Sequence, residues 1–367
     1  MAGLRVLIAG GGTGGHIIPA LAVARALVGR HDAEVLFVGT ARGLETRLVP
    51  EAGFALKLVD VGPLNQVSLR TRLKTLVKLP MSLFDCRRLI RDFKADVVFG
   101  VGGYASGPAM GAAVMMGVPA MAFEPNAMPG LANRLVGKRV QAAAVNFPLA
   151  AKHFRNVEVT GIPVRQEFFS LAEPAAGAPH LLVFGGSQGA RILNTEMPKA
   201  ARELLDAVPG LTVLHQSGPR SFEETLTSYR ESGADPSRWE VRAFFDDMPA
   251  QFGRAHLLLS RSGASTVAEE AAAGKPAVLV PFAAAADDHQ KRNAEAMVHA
   301  GAAVMLEERE LVVPGRLART LAVLLMAPER LAAMGRAART QAHPDAAERI
   351  AQKLVELAGE RRGKSAS

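Results

Sequence analysis

Ala9-Gly-Gly-Gly-Thr-Gly-Gly-His16 is the stretch on which the reading of this chain turns. It follows the apolar run Leu4-Arg-Val-Leu-Ile-Ala9 and precedes Pro19-Ala-Leu-Ala-Val-Ala-Arg-Ala-Leu27, whose composition predicts a helix. A strand, a glycine turn and a helix start together make an anion site. Glycine lets the backbone approach a ligand closely, and the first turn of a helix offers N–H groups that no helix carbonyl can use. A near-copy stands later: His180-Leu-Leu-Val-Phe184, then Gly185-Gly-Ser-Gln-Gly-Ala190, then a second helical stretch. One such loop can serve packing alone. Two of them, about half a chain apart, predict two similar nucleotide-type domains facing one another.

Outward from these loops, apolar runs alternate with helical stretches. Strands are expected at Glu34–Gly39, Ala55–Val61, Asp96–Val101, Pro119–Phe123 and Ala142–Val145, the last two completing the first sheet. A short helix is expected over Thr46–Ala52, and a long one over 66–94 interrupted at Pro80. The second half predicts strands at 180–184, 211–215, 239–243, 256–260, 277–281 and 302–306, with closing helices at about 316–338 and 344–361. This alternation is that of α/β proteins with doubly wound parallel sheets. In such sheets ligands sit beyond the C-terminal ends of the strands, which would bring the turns near 10–15, 102–107 and 185–189 to one crevice. Val157–Pro163 reads as the exit from the first domain and Glu173–Pro179 as a connector.

A chain of 367 residues accommodates two domains, each with its own core. The single cysteine, Cys86, excludes a disulfide framework and fits a reducing compartment. No secretory signal is expected, because Arg5 already leads into a strand, and no apolar run is long enough to span a bilayer. The formal charge of +8 is unevenly spread: residues 1–163 hold 19 Lys and Arg against 10 Asp and Glu. A basic half attracts nucleic acid, anionic lipid or a phosphorylated substrate. Aromatics make up only 5%, with Trp239 the one tryptophan, which argues against stacking on single strands. No nucleic-acid partner is expected; an RNA-binding protein is the rival that the basic pI suggests, with a steep salt dependence as its signature.

Residues 69–94 draw attention as a membrane-facing stretch. At helical spacing Leu69, Leu73, Leu76, Val77, Leu83 and Phe84 fall on one side, with Arg70, Arg72, Lys74 and Lys78 at its margins or opposite. From Arg70 to Lys94 the chain holds eight basic residues and two acids, Asp85 and Asp92. An apolar stripe bordered by positive charge suits docking on an anionic membrane, whereas any surface helix also buries a stripe against its own core. Pro80 suggests two short helices with an exposed corner.

Several side chains could carry chemistry. Gly10, Gly12 and Gly15 have the spacing of a dinucleotide loop, but Glu34 begins the second strand where a ribose-binding acid would end it, at Gly39-Thr40. That speaks against a nicotinamide cofactor. Ser260-Arg-Ser-Gly-Ala-Ser-Thr-Val-Ala-Glu269 places small hydroxylated residues at a helix start, with Glu269 one turn in. Its carboxylate could accept from two vicinal hydroxyls, or serve only the helix dipole. Pro281–Gln290 and Asn293 suit sugar hydroxyls or a solvated helix start. His16 ends the first glycine loop; it is a candidate general base, or a loop-capping or diphosphate-binding group.

Taken in order, Gly11–His16, Gly100–Pro108, Glu124-Pro-Asn126, Gly185–Arg191, Arg261-Ser-Gly-Ala264 and Asp288-His-Gln290 resemble the MurG family over about residues 5–350. The resemblance implies a GT-B fold, two Rossmann-like domains facing a central cleft, with the last helix returning to the first. The domains would be 1–163 plus about 341–361 on the acceptor and membrane side, and 164–340 for the nucleotide sugar, with 362–367 a frayed tail. It implies inverting transfer of N-acetylglucosamine from UDP-N-acetylglucosamine to undecaprenyl-diphospho-N-acetylmuramoyl-pentapeptide (lipid I), peripherally on the cytoplasmic face of a bacterial membrane. By matching motif, Ser187 and Arg165 would contact the diphosphate, with Ala264, Ser265 and Thr266 at the phosphate-binding helix start. Glu269 would take the ribose and the Phe245 backbone the uracil. Gln290 and Asn126 would bind the donor sugar, and Thr13, Gly14 and Gly15 would close over the donor. His16 or Glu124 would be catalytic, and Gly102, Gly103 and Tyr104 would form an acceptor phosphate loop. No cofactor and no metal site are expected. Phe123, Ile162 and His289 depart from the usual His, Asn and Gln of the family. Another GT-B transferase with a lipid-linked or glycan acceptor is the nearest alternative.

Overall fold

The computed structural model describes residues 3–62, 69–172, 177–285 and 288–366; the side chains of 69–77 and 364–366 lie outside what is described. Two compact units emerge, Met1–Pro163 with Asp345–Ser367, and Val164–Pro344.

In the first unit, the described strands β1 (Arg5–Gly10), β2 (Glu34–Gly39), β3 (Ala55–Leu58), β4 (Val97–Gly102), β5 (Ala120–Glu124), β6 (Ala142–Val145) and β7 (Val157–Val159) form one sheet in the order β3-β2-β1-β4-β5-β6-β7. Every pair is parallel. The unbroken apolar run of β4 is buried on both faces, as a central parallel strand requires. Strand order reverses between β1 and β4, so their two glycine turns meet at the topological switch point, where this architecture takes ligands. A bulge at Ala9/Gly10 brings the turns backbone to backbone, and Gly103, at φ 78°, lies where any Cβ would strike the Gly11 carbonyl.

In the second unit, β8 (His180–Phe184), β9 (Thr212–Gln216), β10 (Trp239–Arg242), β11 (Leu257–Ser260), β12 (Ala277–Leu279) and β13 (Ala303–Met305) run parallel in the order β10-β9-β8-β11-β12-β13. Its switch point lies between β8 and β11, so the loops after these strands, 185–190 and 261–263, define the ligand end of this sheet.

Three expectations are corrected. The stretch 316–338 is two helices, Arg316–Leu325 and Pro328–Arg339, because Pro328 has no N–H to continue the first and is suited to start the second. Pro80 does not divide the long helix: Leu69–Phe93 is continuous, with Pro80 on its exposed side, where water can satisfy the carbonyl left unbonded. The tail is not frayed from 362, since the last helix runs Ala346–Ala366. Arg361 donates to the Ala95 carbonyl at 2.7 Å, and Arg362 to Asp96 Oδ2 at 2.6 Å and the Gly3 carbonyl at 2.8 Å. Further back, Arg349 grips Glu158 Oε1 at 2.7 and 3.0 Å.

Candidate active site

The second unit assembles a polar site at its switch point. Gly263 leads into the helix Ala264–Ala273 with no side-chain cap, so the first-turn amides of Ala264, Ser265 and Thr266 have no helix carbonyl to bond. Ser262 Oγ donates to the Gln290 carbonyl at 2.8 Å, and Asn293 Nδ2 to the Ser262 carbonyl at 3.1 Å. These bonds bring the helix His289–His299, and with it Gln290, to that helix start. Gln290 Oε1 already accepts from Phe282 N–H at 3.0 Å, so the amide NH2 is the end left to a sugar hydroxyl. Arg261 shapes the same corner. It donates to the Val280 and Pro281 carbonyls at 3.1 Å each, pairs with Glu308 at 2.6 Å, and lies over the Phe282 ring.

Glu269 is half-buried. Burial pushes its carboxyl up to about 7, against the opposing pull of the Arg165 guanidinium. That coupling places Arg165 near Glu269, although 104 residues of sequence separate them. The next residue, Glu270, is fully buried: Oε1 accepts from Ser260 Oγ at 2.7 Å and Oε2 has no partner. Burial raises it to about 8, the Ser260 bond lowers it, and Glu269 adds to the rise, so Glu270 is a neutral acid at pH 7.

The loop after β8 is set from β9. Gly189, at φ 75°, packs so closely on the Ser217 carbonyl that no side chain fits. Buried Gln216 donates through Nε2 to the Gly186 carbonyl at 3.0 Å and accepts through Oε1 from Phe245 N–H at 3.1 Å. Ser187 stays exposed at the tip. The Phe245 amide is therefore occupied, which leaves its carbonyl as the group able to accept from a base; the expectation of the Phe245 backbone as a ligand contact narrows to that atom. Beneath this loop His215 joins Tyr229 Oη at Nδ1 and Asn194 Oδ1 at Nε2, both at 3.1 Å, and Asn194 Nδ2 holds the Ser217 carbonyl at 2.8 Å. Burial lowers His215 to about 3, so the network is uncharged.

In the first unit, Thr13 caps the helix Gly14–His31 without a side-chain bond, leaving the Gly14 and Gly15 amides unused by the helix. His16 Nδ1 lies 3.2 Å from the Gly11 carbonyl and 3.4 Å from Thr13 Oγ1, and its ring packs on Gly102. A carbonyl can only accept, so the Gly11 contact is a hydrogen bond in the tautomer protonated at Nδ1, which would leave Nε2 as the basic nitrogen. Tyr104 is exposed beside Gly102 and Gly103. Glu124 closes β5 fully enclosed. Oε1 accepts from Asn126 N–H at 2.9 Å and Asn126 Nδ2 at 3.2 Å; Oε2 accepts from Gly130 N–H and Asn133 Nδ2, both at 3.0 Å. Burial raises its carboxyl, with those four donors pulling the other way. Both oxygens are thus engaged by Asn126, Gly130 and Asn133, and through them Glu124 anchors Asn126.

Of the residues expected to face a membrane, Leu69, Arg72, Leu73, Lys74 and Leu76 have side chains outside those described. Lys78 is exposed and pairs with Asp60. Phe84 and Met81 are 68% and 69% exposed, Met115 on the neighbouring helix is also open, and Cys86 and Ile90 face the core. Sequence reasoning missed Gln216 and Glu45. A polar triplet, His215-Gln-Ser217, closing an otherwise apolar strand was the available signal for the first; Glu45 leaves no such trace. Among the described residues no helix is long and apolar enough to cross a membrane, and no three His, Cys, Asp or Glu converge as a metal site.

Comparison with known proteins matches residues 6–145 to the glycosyltransferase family 28 N-terminal domain and residues 180–350 to the family 28 C-terminal domain. A protein of Anaeromyxobacter dehalogenans strain 2CP-C, named UDP-N-acetylglucosamine–N-acetylmuramyl-(pentapeptide) pyrophosphoryl-undecaprenol N-acetylglucosamine transferase, is 46% identical over 366 residues, 98% of this chain and 94% of its own. A Myxococcus xanthus protein of the same name is 41% identical over 96% of this chain and 93% of its own. The crystal structure of Acinetobacter baumannii MurG superposes with a TM-score of 0.82 at 30% identity, over 96% of this chain and 99% of that one.

Proposed function

The chain belongs to glycosyltransferase family 28 as a MurG-type member, and from that premise we propose that it transfers N-acetylglucosamine from UDP-N-acetylglucosamine to lipid I, forming lipid II. The observation that carries the reading is the 46% identity across nearly the whole of both chains to a transferase of that name.

The chemistry needs four things: a held nucleotide, a stabilised diphosphate leaving group, an oriented sugar and a base for the acceptor hydroxyl. In the second unit Glu269 accepts from the ribose hydroxyls and the Phe245 carbonyl from the uracil. The open amides of Ala264–Thr266, with Ser187 and Arg165, take the negative charge that grows on the diphosphate. Gln290 donates to the sugar. In the first unit His16 Nε2 takes the proton as the acceptor 4-hydroxyl oxygen bonds to the anomeric carbon and the C1–O bond to UDP breaks, inverting that carbon. Thr13, Gly14, Gly15 and Asn126 are first-unit groups for the donor sugar, and Gly102, Gly103 and Tyr104 for the acceptor diphosphate. Saturation with UDP-N-acetylglucosamine is expected to raise the melting temperature; at 100 times Kd the gain is about 2.7 kcal/mol. No rise with this sugar nucleotide, beside a rise with RNA, favours the rival binding protein.

The lipid-linked acceptor requires the enzyme to reach a membrane surface, at its cytoplasmic face where the nucleotide sugar is available. Exposed Met81 and Phe84, with Arg87, Arg88 and Arg91 on the same helix, suit shallow insertion beside anionic headgroups. Met81→Ser with Phe84→Ser is expected to weaken co-sedimentation with anionic vesicles by at least about tenfold, given roughly 1.5–3 kcal/mol per buried large apolar side chain. Activity on a water-soluble acceptor analogue should hold. Equal vesicle binding by variant and parent moves the docking surface elsewhere.

A further inference from the structure

Glu45 opens the short helix Glu45–Glu51 and is 0% exposed. An acid is rarely enclosed this way unless its oxygens are bonded. Here Oε2 accepts from Gly12 N–H at 2.8 Å, and Oε1 accepts from both Thr40 N–H and Thr40 Oγ1 at 3.0 Å. Three glycines, Gly11, Gly39 and Gly43, wrap the carboxyl so tightly that a Cβ on any of them would collide with it. Burial acts to raise this carboxyl, yet the donors at Gly12 and Thr40 outweigh it and hold it below the ordinary value, so it is ionised at pH 7. The acid thus occupies one donor of the glycine loop as an internal anion. It does so from 33 residues away in sequence, joining the segments that follow the neighbouring strands β1 and β2.

What that anchor controls is one peptide away. The Gly11 carbonyl faces His16 Nδ1 at 3.2 Å, and the Leu44 amide reaches back to the Gly12 carbonyl at 3.4 Å. Gly11 and Gly12 have φ of 156° and 92°, and with no side chain of their own they gain a single conformation only from what grips them. We propose that Glu45 is a positioning residue for the transfer step: it sets the Gly11–Gly12 turn, and through the Gly11 carbonyl it selects the His16 tautomer with Nε2 basic. Its kinetic consequence rests on the reading of His16 as base; its effect on the imidazole does not.

The test uses the full chain labelled with 15N in its histidines, His16 being identified by its loss in His16→Ala. The parent is expected to show His16 protonated at Nδ1. Glu45→Gln puts an NH2 group against N–H donors at Gly12 or Thr40, and is expected to shift His16 toward the Nε2-protonated form that free imidazole favours. With UDP-N-acetylglucosamine and the lipid-linked acceptor, Glu45→Gln should lower kcat by about one to two powers of ten and leave the donor KM within about twofold. In a His16→Ala background it should cost nothing more. A His16 tautomer that is Nε2-protonated in the parent, or unmoved in Glu45→Gln, overturns the proposal, as do losses that multiply with His16→Ala. A far-UV circular dichroism spectrum and a cooperative melting transition like those of the parent verify that the first unit of the variant is folded; should Glu45→Gln fail that check, Glu45→Asp, which keeps the charge and retracts it, replaces it with the same expected shift. The nitrogen spectrum needs no turnover, so it decides on Glu45 even where the transferase reading fails.

Discussion

His16→Ala is expected to depress turnover by roughly two to four powers of ten while leaving the affinity for UDP intact, the range over which general bases act. The separation follows from where the groups lie. His16 belongs to the glycine turn after β1, whereas the candidate nucleotide groups, Glu269, Phe245 and the Ala264 helix start, belong to the other unit. The Gly11 carbonyl faces Nδ1, so in the tautomer this contact favours the group lost is the basic Nε2. The side chain is half-buried, so its removal leaves a small space against Gly102 and does not dismantle the core. Steady-state kinetics with both substrates, together with UDP titration, measure this. A loss of less than about tenfold removes His16 from the role of base. Glu124 would then be examined next, although its four hydrogen bonds argue that Glu124→Gln acts chiefly through the Asn126 loop.

Glu269→Ala is expected to raise the donor KM by about one to two powers of ten, since hydrogen bonds to a charged group are worth roughly 1.5–3 kcal/mol. The pH dependence gives a second signature. Burial raises this carboxyl to about 7, so above that pH it is ionised and accepts from both ribose hydroxyls; as pH falls through 7 it takes up a proton. Donor affinity should therefore be full above pH 7 and decline below it, and the decline should vanish in Glu269→Gln. UDP-N-acetylglucosamine carries a diphosphate diester that does not itself titrate in this range, which keeps the assignment clean. Unchanged donor affinity in a folded Glu269→Ala protein detaches Glu269 from the ribose.

The parts of the fold that were legible in the sequence are those governed by local rules. Unbroken apolar runs such as Val97–Val101 mark central parallel strands, and glycines between a strand and a helix mark the turns at 10–15 and 185–190. Where a residue's effect depends on surroundings, the reading failed. Pro80 reads locally as a helix breaker, yet the helix continues, because its cost depends on whether water reaches the freed carbonyl. Arg362 reads as tail by its local sequence, whereas its partners Asp96 and the Gly3 carbonyl lie far away in sequence. The site divides in the same way. Gly14, Ser265 and Glu269 stand out through the glycine and hydroxyl-rich loops that precede their helices, whereas Glu45 and Gln216 matter only through partners in loops that follow other strands. The Asn194–His215–Tyr229 chain is likewise an arrangement of three elements, with no motif to reveal it.

The account stands most directly on one transfer assay. Purified protein is given UDP-N-acetylglucosamine with either lipid I or simple sugars as acceptor, and UDP release and the lipid product are followed together. The predicted result is release of one UDP for each N-acetylglucosamine gained by the lipid-linked acceptor, with no release above hydrolysis for the simple sugars. Equal release with simple sugars, or UDP release without a glycosylated lipid, would contradict it.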